Sequence, residues 1–200
     1  MSSAGVILLE EDFTDGNMPP HDDLGDWELH QTNANETWHI DSTYPYTDPY
    51  CATVHRGDEI TLQDEWLITP SVNFSGYQEI NLLFMWYTCY YVTILNSYVE
   101  FNISISTDGG SSWTKIWRFN DITTIFEDWE WYNTIYPSNK PIDLSAYAGY
   151  PDVKIAFQYY SNTTQEAHCQ EFSIDDIRVF AVGGSGNPLE CDAGGPYYWW

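Results

Sequence analysis

Hydrophobic and polar residues alternate with a period of two along much of this chain, which is the pattern of a half-buried β-strand. The alternation is clearest in residues 99–106 and 153–159, and a more continuous apolar run in residues 80–87 indicates a strand covered on both faces. Turn signals such as Asp108-Gly109-Gly110 separate these runs. Further strands are predicted at the chain start and near residues 27–30, 38–40, 51–55, 115–119 and 129–135.

Two local features refine this pattern. The apolar positions change parity at Asp175 and Asp176, which predicts a β-bulge there. No window of 12 residues carries a helical apolar stripe, and residues 143–149 are typical of a single helical turn, opened by Asp143 and closed by Gly149. Many short strands with regular turns favour an all-β fold, a two-sheet antiparallel β-sandwich, and 200 residues suit one such domain.

Composition and charge narrow the choice of partners. Thirty acidic residues face six basic ones, for a formal charge of −24, which argues against nucleic acid as a partner because phosphates would be repelled. Divalent cations would be attracted, above all by residues 1–65, where fifteen acids accompany a single base, Arg56. Most of these acids fit a solvated surface equally well. No apolar run approaches the roughly 18 residues of a membrane span, so no membrane insertion is expected.

Cysteines and sequons indicate a secreted or cell-surface protein. The four cysteines form no C-x-x-C motif, which argues against zinc and thioredoxin-type sites, and four cysteines allow three pairings. We expect one disulfide, Cys89–Cys169, with Cys191 outside the core; the alternative is that all four are thiols. Four N-x-S/T sequons mark candidate glycosylation sites at Asn35, Asn73, Asn102 and Asn162.

Several short phrases stand in one order along the chain. They are the acidic-Phe phrase of residues 11–13, the segments 64–70, 106–110, 143–149 and 155–157, and Ile-Asp-Asp-Ile in residues 174–177. In this order they resemble the choice-of-anchor J and cleaved-adhesin family, which is similar to MAM domains, over roughly residues 8–182. Residues 183–190 have the composition of a Gly/Ser linker. Residues 191–197 resemble the opening of a PKD-type immunoglobulin-like domain, so 191–200 are expected to begin, or to be a remnant of, a second domain.

The resemblance implies a jelly-roll sandwich that serves as an extracellular binding module stabilised by calcium. It nominates acids near the first strand and in the final Asp-Asp phrase as metal ligands: Glu11, Asp12, Asp175 and Asp176, with Asp64 as a further candidate. Thr14 departs from the family pattern, since many relatives have Glu there. Independently, the first and last strands of a jelly roll can be neighbours, and converging carboxylates repel unless a cation lies between them. These acids would otherwise cap strand ends.

The sequence offers little support for an active site. Nucleophile elbows, H-E-x-x-H motifs and Walker loops are absent. Residues 106–113 match the Asp-box pattern S-x-D-x-G-x-S/T-W, which we interpret as a hairpin device rather than a sialidase signature. One carboxylate cluster, formed by Glu127, Asp128 and Glu130, could in principle serve glycoside hydrolysis. Strand alternation instead predicts Trp129 and Trp131 on one face, with Asp128 and Glu130 in solvent. We therefore expect no enzymatic activity.

Aromatic residues make up 18% of the chain, more than a core of this size requires, so some are expected on the surface. The candidate ligand-binding residues are Tyr44, Tyr46, Tyr50, Tyr90 and Tyr91, since exposed rings stack on sugars and anchor protein contacts. Core and inter-domain packing is the alternative role. The leading hypothesis is an adhesion or recognition module that binds a glycan or a surface protein. The alternatives are a carbohydrate-binding module appended to a hydrolase or peptidase, and a self-associating subunit of a surface layer or filament.

Overall fold

The computed structural model describes residues 5–56, 62–90, 99–162 and 171–184. Strands make up nearly all of their regular structure, with short 3-10 turns at Phe119–Asp121 and Ser145–Tyr147. The strands are β1 (Val6–Glu11), β2 (His21–Asp22), β3 (Gly25–Asp26), β4 (Glu28–His30), β5 (His39–Asp41), β6 (Cys51–His55), β7 (Gln63–Ile68), β8 (Tyr77–Thr88), β9 (Glu100–Ser106), β10 (Thr114–Arg118), β11 (Trp131–Asn133), β12 (Ile142–Asp143), β13 (Lys154–Ser161) and β14 (Glu171–Gly184).

Two antiparallel sheets face each other, which confirms the predicted jelly-roll sandwich. The seven-stranded sheet has the order β11-β8-β14-β6-β5, with β1 added to β14 and β12 added to β8. The five-stranded sheet has the order β10-β9-β13-β7-β4, and β2 and β3 form a small separate ribbon. The first and last strands are neighbours as expected, since Glu11 pairs with Ile177.

The core lies between the sheets and is built largely from aromatic rings. Alternate residues of β8 point into it, so that Phe84 and Trp86 are fully buried. Phe101 of β9 stacks on Phe172 of β14 with ring centroids 3.9 Å apart, which joins the two sheets directly. Phe157 of β13 meets Phe84 edge-on at 5.5 Å. Fully burying such side chains contributes about 1.5–3 kcal/mol each.

Most strand predictions hold, and the exceptions have local causes. β6 has the predicted bounds, and the bulge occurs where expected, with a register shift after Asp175 and φ of 48° at Asp176. The strand predicted at 129–135 is reduced to Trp131–Asn133 because Trp129 and Thr134 both take positive φ, 62° and 20°. The helical turn after Asp143 is a 3-10 turn.

Several expectations fall partly or wholly outside the described residues. β14 extends to Gly184, two residues into the predicted linker, whereas 185–200, including the predicted PKD-type start, lie outside the description. Cys51 and Cys89 are buried, but Cys169 and Cys191 are outside the described residues, so the predicted Cys89–Cys169 disulfide stays a prediction. Within the described ranges, no helix has the length and apolar character needed to cross a bilayer.

Candidate functional site: an aromatic cleft on the seven-stranded sheet

A cleft of about 680 Å³ opens where one end of β8, β11 and β14 meets the loop between β5 and β6. We call that loop, residues 42–50, the aromatic loop. The residues lining the cleft are Tyr44, Pro45, Tyr87, Trp129, Trp131 and Glu171. The cleft is open to solvent along much of its surface rather than enclosed.

Sheet register positions the fixed part of the cleft. Trp131 of β11 and Ser173 of β14 both pair with Tyr87 of β8, on opposite sides of it. Because side chains alternate along a strand, Tyr87 points away from the core-facing Trp86 and shares the outer face with these partners. Glu171, two residues before Ser173, lies on the same face of β14. The strands thus supply the floor and one wall.

The rings contact one another and form a continuous aromatic surface, part of which is exposed to solvent. Tyr87 contacts Trp129 and Trp131, with centroids 5.4 and 5.3 Å apart, and Tyr44 lies nearly parallel to Tyr87 at 6.3 Å. Tyr46 packs on Trp131 at 5.8 Å. Tyr44, Tyr46 and Trp129 are 64%, 49% and 38% exposed. The partly exposed rings are therefore supported from below by a buried one.

The aromatic loop is held in place by Asp175. One carboxylate oxygen, Oδ2, accepts hydrogen bonds from the backbone N–H groups of Tyr46 and Thr47 at 3.0 and 2.9 Å. The other, Oδ1, accepts from the N–H of Asp176 at 2.8 Å. The indole Nε1–H of Trp131 donates to the carbonyl of Tyr44 at 3.1 Å, which is a second tie between loop and sheet. Strand alternation places Asp175 on the same outer face as Ser173, toward this loop, and the predicted bulge follows it at Asp176.

Burial dominates the electrostatics of Asp175. The carboxyl is fully buried, and burial raises its pKa to about 7, although the amides of Thr47, Asp176 and Tyr46 oppose the shift. The neighbouring Asp176 raises it further. These bonds make Asp175 a loop anchor. It was nominated from the sequence as a calcium ligand, and its described partners are backbone amides instead.

Among the described residues that line the cleft, Glu171 is the one carboxylate. Its Oε1 accepts a hydrogen bond from Ser173 Oγ at 3.2 Å. Burial raises the pKa of Glu171, and the charge of Asp41 adds to the shift, while Ser173, His55 and His39 oppose it. Sequence reasoning missed this residue, because it stands at the start of a strand with no motif around it.

The structure separates the five nominated tyrosines. Tyr44 and Tyr46 lie at the cleft, whereas Tyr50 is half-buried against Gly16 and the core. Tyr90 packs edge-on against Phe126 at 5.0 Å. Tyr91 lies outside the described residues.

The cleft also contains Tyr87, which precedes Tyr90 and Tyr91 in the sequence, and Trp129 and Trp131, whose place in a ligand site the sequence does not predict. For Trp129 and Trp131, the alternation of tryptophans and acids in residues 128–131 is the sequence feature that could have suggested an exposed aromatic pair. Asp128 and Glu130 are exposed as predicted, but Trp129 is exposed as well, because residues 128 and 129 form a turn rather than part of the strand.

The acids nominated for calcium are distributed over three places. Glu11, Asp12 and Asp176 gather where β1 ends beside the β14 bulge, and the charge of Asp12 adds to the burial that raises the pKa of Asp176. Burial also raises the pKa of Glu11 to about 7, and Asp15, Asp12 and Asp22 add to this shift. Asp175 serves the aromatic loop, as described above.

Asp64 lies apart from the other nominated acids, on β7 of the five-stranded sheet. Its Oδ1 accepts from Trp66 Nε1 at 2.6 Å and from Gln158 Nε2 at 2.7 Å. Across the part of the chain that the structure describes, no group of three or more His, Cys, Asp or Glu side chains is arranged to hold a metal ion. At the β1–β14 end, Glu11 Oε1 instead accepts from the N–H of Phe13, and Asp12 Oδ1 from the N–H and hydroxyl of Thr14.

The four sequons differ in accessibility. Asn35, Asn73 and Asn162 are exposed. Asn102, on β9, is only 1% exposed, and its Nδ2, the atom that a glycan would modify, donates to Gln158. In the folded domain this position is closed to modification.

The Asp-box segment forms a turn, as interpreted. Asp108 accepts bonds from the N–H and hydroxyl of Ser112 and from the hydroxyl of Ser106. Gly109 and Gly110 both take positive φ. The turn lies at the β9–β10 connection of the other sheet, away from the cleft.

Comparison with known proteins supports the fold. No protein-family model and no curated protein matches the chain in sequence. Among solved structures, it is similar to two cleaved adhesin domains of Lys-gingipain from Porphyromonas gingivalis. The first has a TM-score of 0.56 and 13% identity over 88% of this chain and 98% of that one, and the second has 0.55 and 14% over 88% and 99%.

A third similar structure is the CBM22-1 xylan-binding domain of Xyn10C from Paenibacillus barcinonensis. Its TM-score is 0.51, with 10% identity over 93% of this chain and 100% of that one. At these identities the likeness shows a shared β-sandwich fold and no more.

Proposed function

We propose that this chain is a non-catalytic recognition module of a secreted or cell-surface protein, and that its aromatic cleft binds a glycan. The observation that carries the proposal is the cluster of half-exposed rings, Tyr44, Tyr46, Trp129 and Trp131, assembled over Tyr87. Sugar rings have apolar C–H faces that stack on aromatic side chains, and their hydroxyls need polar partners nearby. Glu171 and the tyrosine hydroxyls supply such partners. The xylan-binding domain of similar fold adds support.

A protein ligand is the second candidate, because the same rings would also act as interface anchors. Tyrosine and tryptophan are enriched among the residues that dominate protein–protein affinity. The similarity to cleaved adhesin domains favours this alternative, and it includes self-association through the same cleft. Sedimentation velocity of the protein alone across a concentration series distinguishes self-association from binding to a separate partner.

The direct test is a glycan array followed by calorimetry on the strongest hits. We expect Tyr44→Ala to weaken binding by at least about tenfold, since a central aromatic anchor contributes more than about 1.4 kcal/mol. Tyr150→Ala is the matched control: Tyr150 is 46% exposed, like the cleft tyrosines, but does not line the cleft. No glycan binding, or equal losses in both variants, would refute the proposal.

We further propose that calcium stabilises the module through Glu11, Asp12 and Asp176. Support comes from the gathering of carboxylates at the β1–β14 end, where burial and like charges raise the pKa of Glu11 and of Asp176. A bound cation would relieve both effects. As described, these side chains are not arranged to hold a metal ion, so calcium would have to draw them together, and they would supply only part of its six to eight oxygen ligands. Asp64 is left out of the proposed set because it lies apart, on β7 of the other sheet. Asp175 is left out because both of its carboxylate oxygens already accept backbone N–H groups.

A further inference from the structure

The only charge in the described lining of the aromatic cleft is negative. Five of its six residues are neutral, and the sixth is Glu171. The lining, as the structure describes it, includes no lysine or arginine that could pair with an anionic ligand. The chain as a whole has a formal charge of −24, so the surrounding field has the same sign as Glu171.

Among the described groups, those that act most on Glu171 do not reverse this sign. Asp41 contributes a second negative charge to its surroundings, and the two histidines that act on it are His55 and His39. His55 Nε2 is engaged with Glu36 Oε2 at 2.8 Å, so its charge when protonated is already paired. His39 Nδ1 lies 3.0 Å from the carbonyl of Thr37. Neither ring belongs to the cleft lining.

Glu171 retains capacity for further hydrogen bonds. An ionised carboxylate offers about four acceptor positions, and among the described residues Ser173 Oγ uses one of them. Sugar hydroxyls are donors that can fill the others. A carboxylate on the ligand has no hydrogen to donate, and in this partly buried place its repulsion by Glu171 is screened less than it would be in open water.

We propose that the cleft selects uncharged glycans over glycans that carry uronic or sialic acids, and that Glu171 determines this specificity. The inference rests on the proposed function, and it names the ligand class of that same cleft. Glu171 accepts hydroxyl hydrogen bonds from a neutral sugar stacked on the rings, and it repels an acidic one. Selectivity therefore comes from repulsion as well as attraction.

The experiment compares pairs of oligosaccharides of equal length that differ in one carboxylate, at pH 7.5 and low salt. We expect the wild-type protein to bind the neutral member at least about tenfold more tightly, and added sodium chloride to narrow the ratio. Glu171→Gln keeps the side-chain shape and one acceptor, so it should reduce the ratio to below about threefold by strengthening acidic binding. Glu79→Gln, an exposed change on β8 with the same effect on net charge, should leave the ratio unchanged.

Each outcome has one meaning. Equal or tighter wild-type binding of the acidic member overturns the selectivity, and this comparison needs no variant. An unchanged ratio in Glu171→Gln, or the same reduction in Glu79→Gln, overturns the role of Glu171. In both cases the cleft still binds glycans, so the proposed function stands. Absence of binding to either member would instead refute the proposed function and the selectivity together.

Discussion

Replacing Asp175 by alanine should release the aromatic loop while leaving the sandwich folded. The loop amides of Tyr46 and Thr47 would both lose their acceptor, which lies 129 and 128 residues away along the chain. The remaining described ties include the hydrogen bond of the Thr47 side chain to Asp176, the Trp131 indole bond to the Tyr44 carbonyl, and the stacking of Tyr44 and Tyr46. Loop order should therefore depend strongly on this one carboxylate.

The magnitude follows from the two bonds. Each hydrogen bond contributes about 1 kcal/mol net, so the loop should open about 2 kcal/mol more easily, which is roughly a 30-fold change in its equilibrium constant. Global stability should change less than this. Burial raises the pKa of Asp175 to about 7, so removing the carboxyl also removes an unfavourable buried charge near neutral pH. The opening equilibrium of the aromatic loop, rather than the global free energy of unfolding, therefore tests the role of Asp175.

Amide hydrogen exchange followed by NMR measures that equilibrium directly. In Asp175→Ala, the protection of the Tyr46 and Thr47 amides should fall about 30-fold, and in Asp175→Asn, which keeps one acceptor oxygen, it should fall less. Asp108→Ala is the matched control, since Asp108 also accepts three hydrogen bonds, but in the Asp-box turn. Unchanged protection at 46 and 47 in Asp175→Ala, or an equal loss in Asp108→Ala, would refute the assignment of Asp175 as the loop anchor.

Three further predictions concern stability. Phe101→Ala removes a fully buried ring stacked on Phe172 and should lower the free energy of unfolding by about 3–5 kcal/mol in urea titrations; a loss under 1 kcal/mol would contradict the core described above. Burial raises the pKa of Glu11 and of Asp175 to about 7, so between about pH 4 and pH 7 the folded protein holds more protons than the unfolded chain. In EDTA the melting temperature should therefore fall as pH rises through this window. A rise instead would contradict the raised pKa values of Glu11 and Asp175 in the folded protein. Calcium at a hundredfold excess over its Kd should stabilise the protein by about 2.7 kcal/mol, and Glu11→Gln should weaken the effect; no calcium-dependent shift would refute the metal proposal.

Much of the fold could be predicted because its signals are local. The two-residue period of β9 and β13 and the parity change at Asp175 follow from which side chains must face the core. The pairing of β1 with β14 was expected from the geometry of a jelly roll. The shortened β11 could not be predicted, because the positive φ of Trp129 and Thr134 accompanies hydrogen bonds from their N–H groups to the carbonyls of Thr88 and Phe84 in β8, which are distant in sequence.

The cleft could be predicted only in part. Tyr44 and Tyr46 stand out in the sequence as aromatics in a polar, proline-containing loop. Tyr87 belongs to an apolar run, and nothing local distinguishes its outward position from that of a core residue. Its role depends on β11 lying beside β8, a pairing between segments more than 40 residues apart. The role of Asp175 likewise depends on a loop that is distant in sequence, so its hydrogen bonds to that loop could not be predicted from the sequence.

The central claim is that a glycan stacks in the cleft formed by the aromatic loop, β8 and β11. Its most direct test is a titration of the strongest array hit, followed through the ten tryptophan indole N–H signals in NMR spectra. The account predicts that the signals of Trp129 and Trp131 shift, while those of the core residues Trp27 and Trp38 stay in place. Shifts confined to Trp66 and Trp113, the ring pair on the opposite sheet, would contradict it.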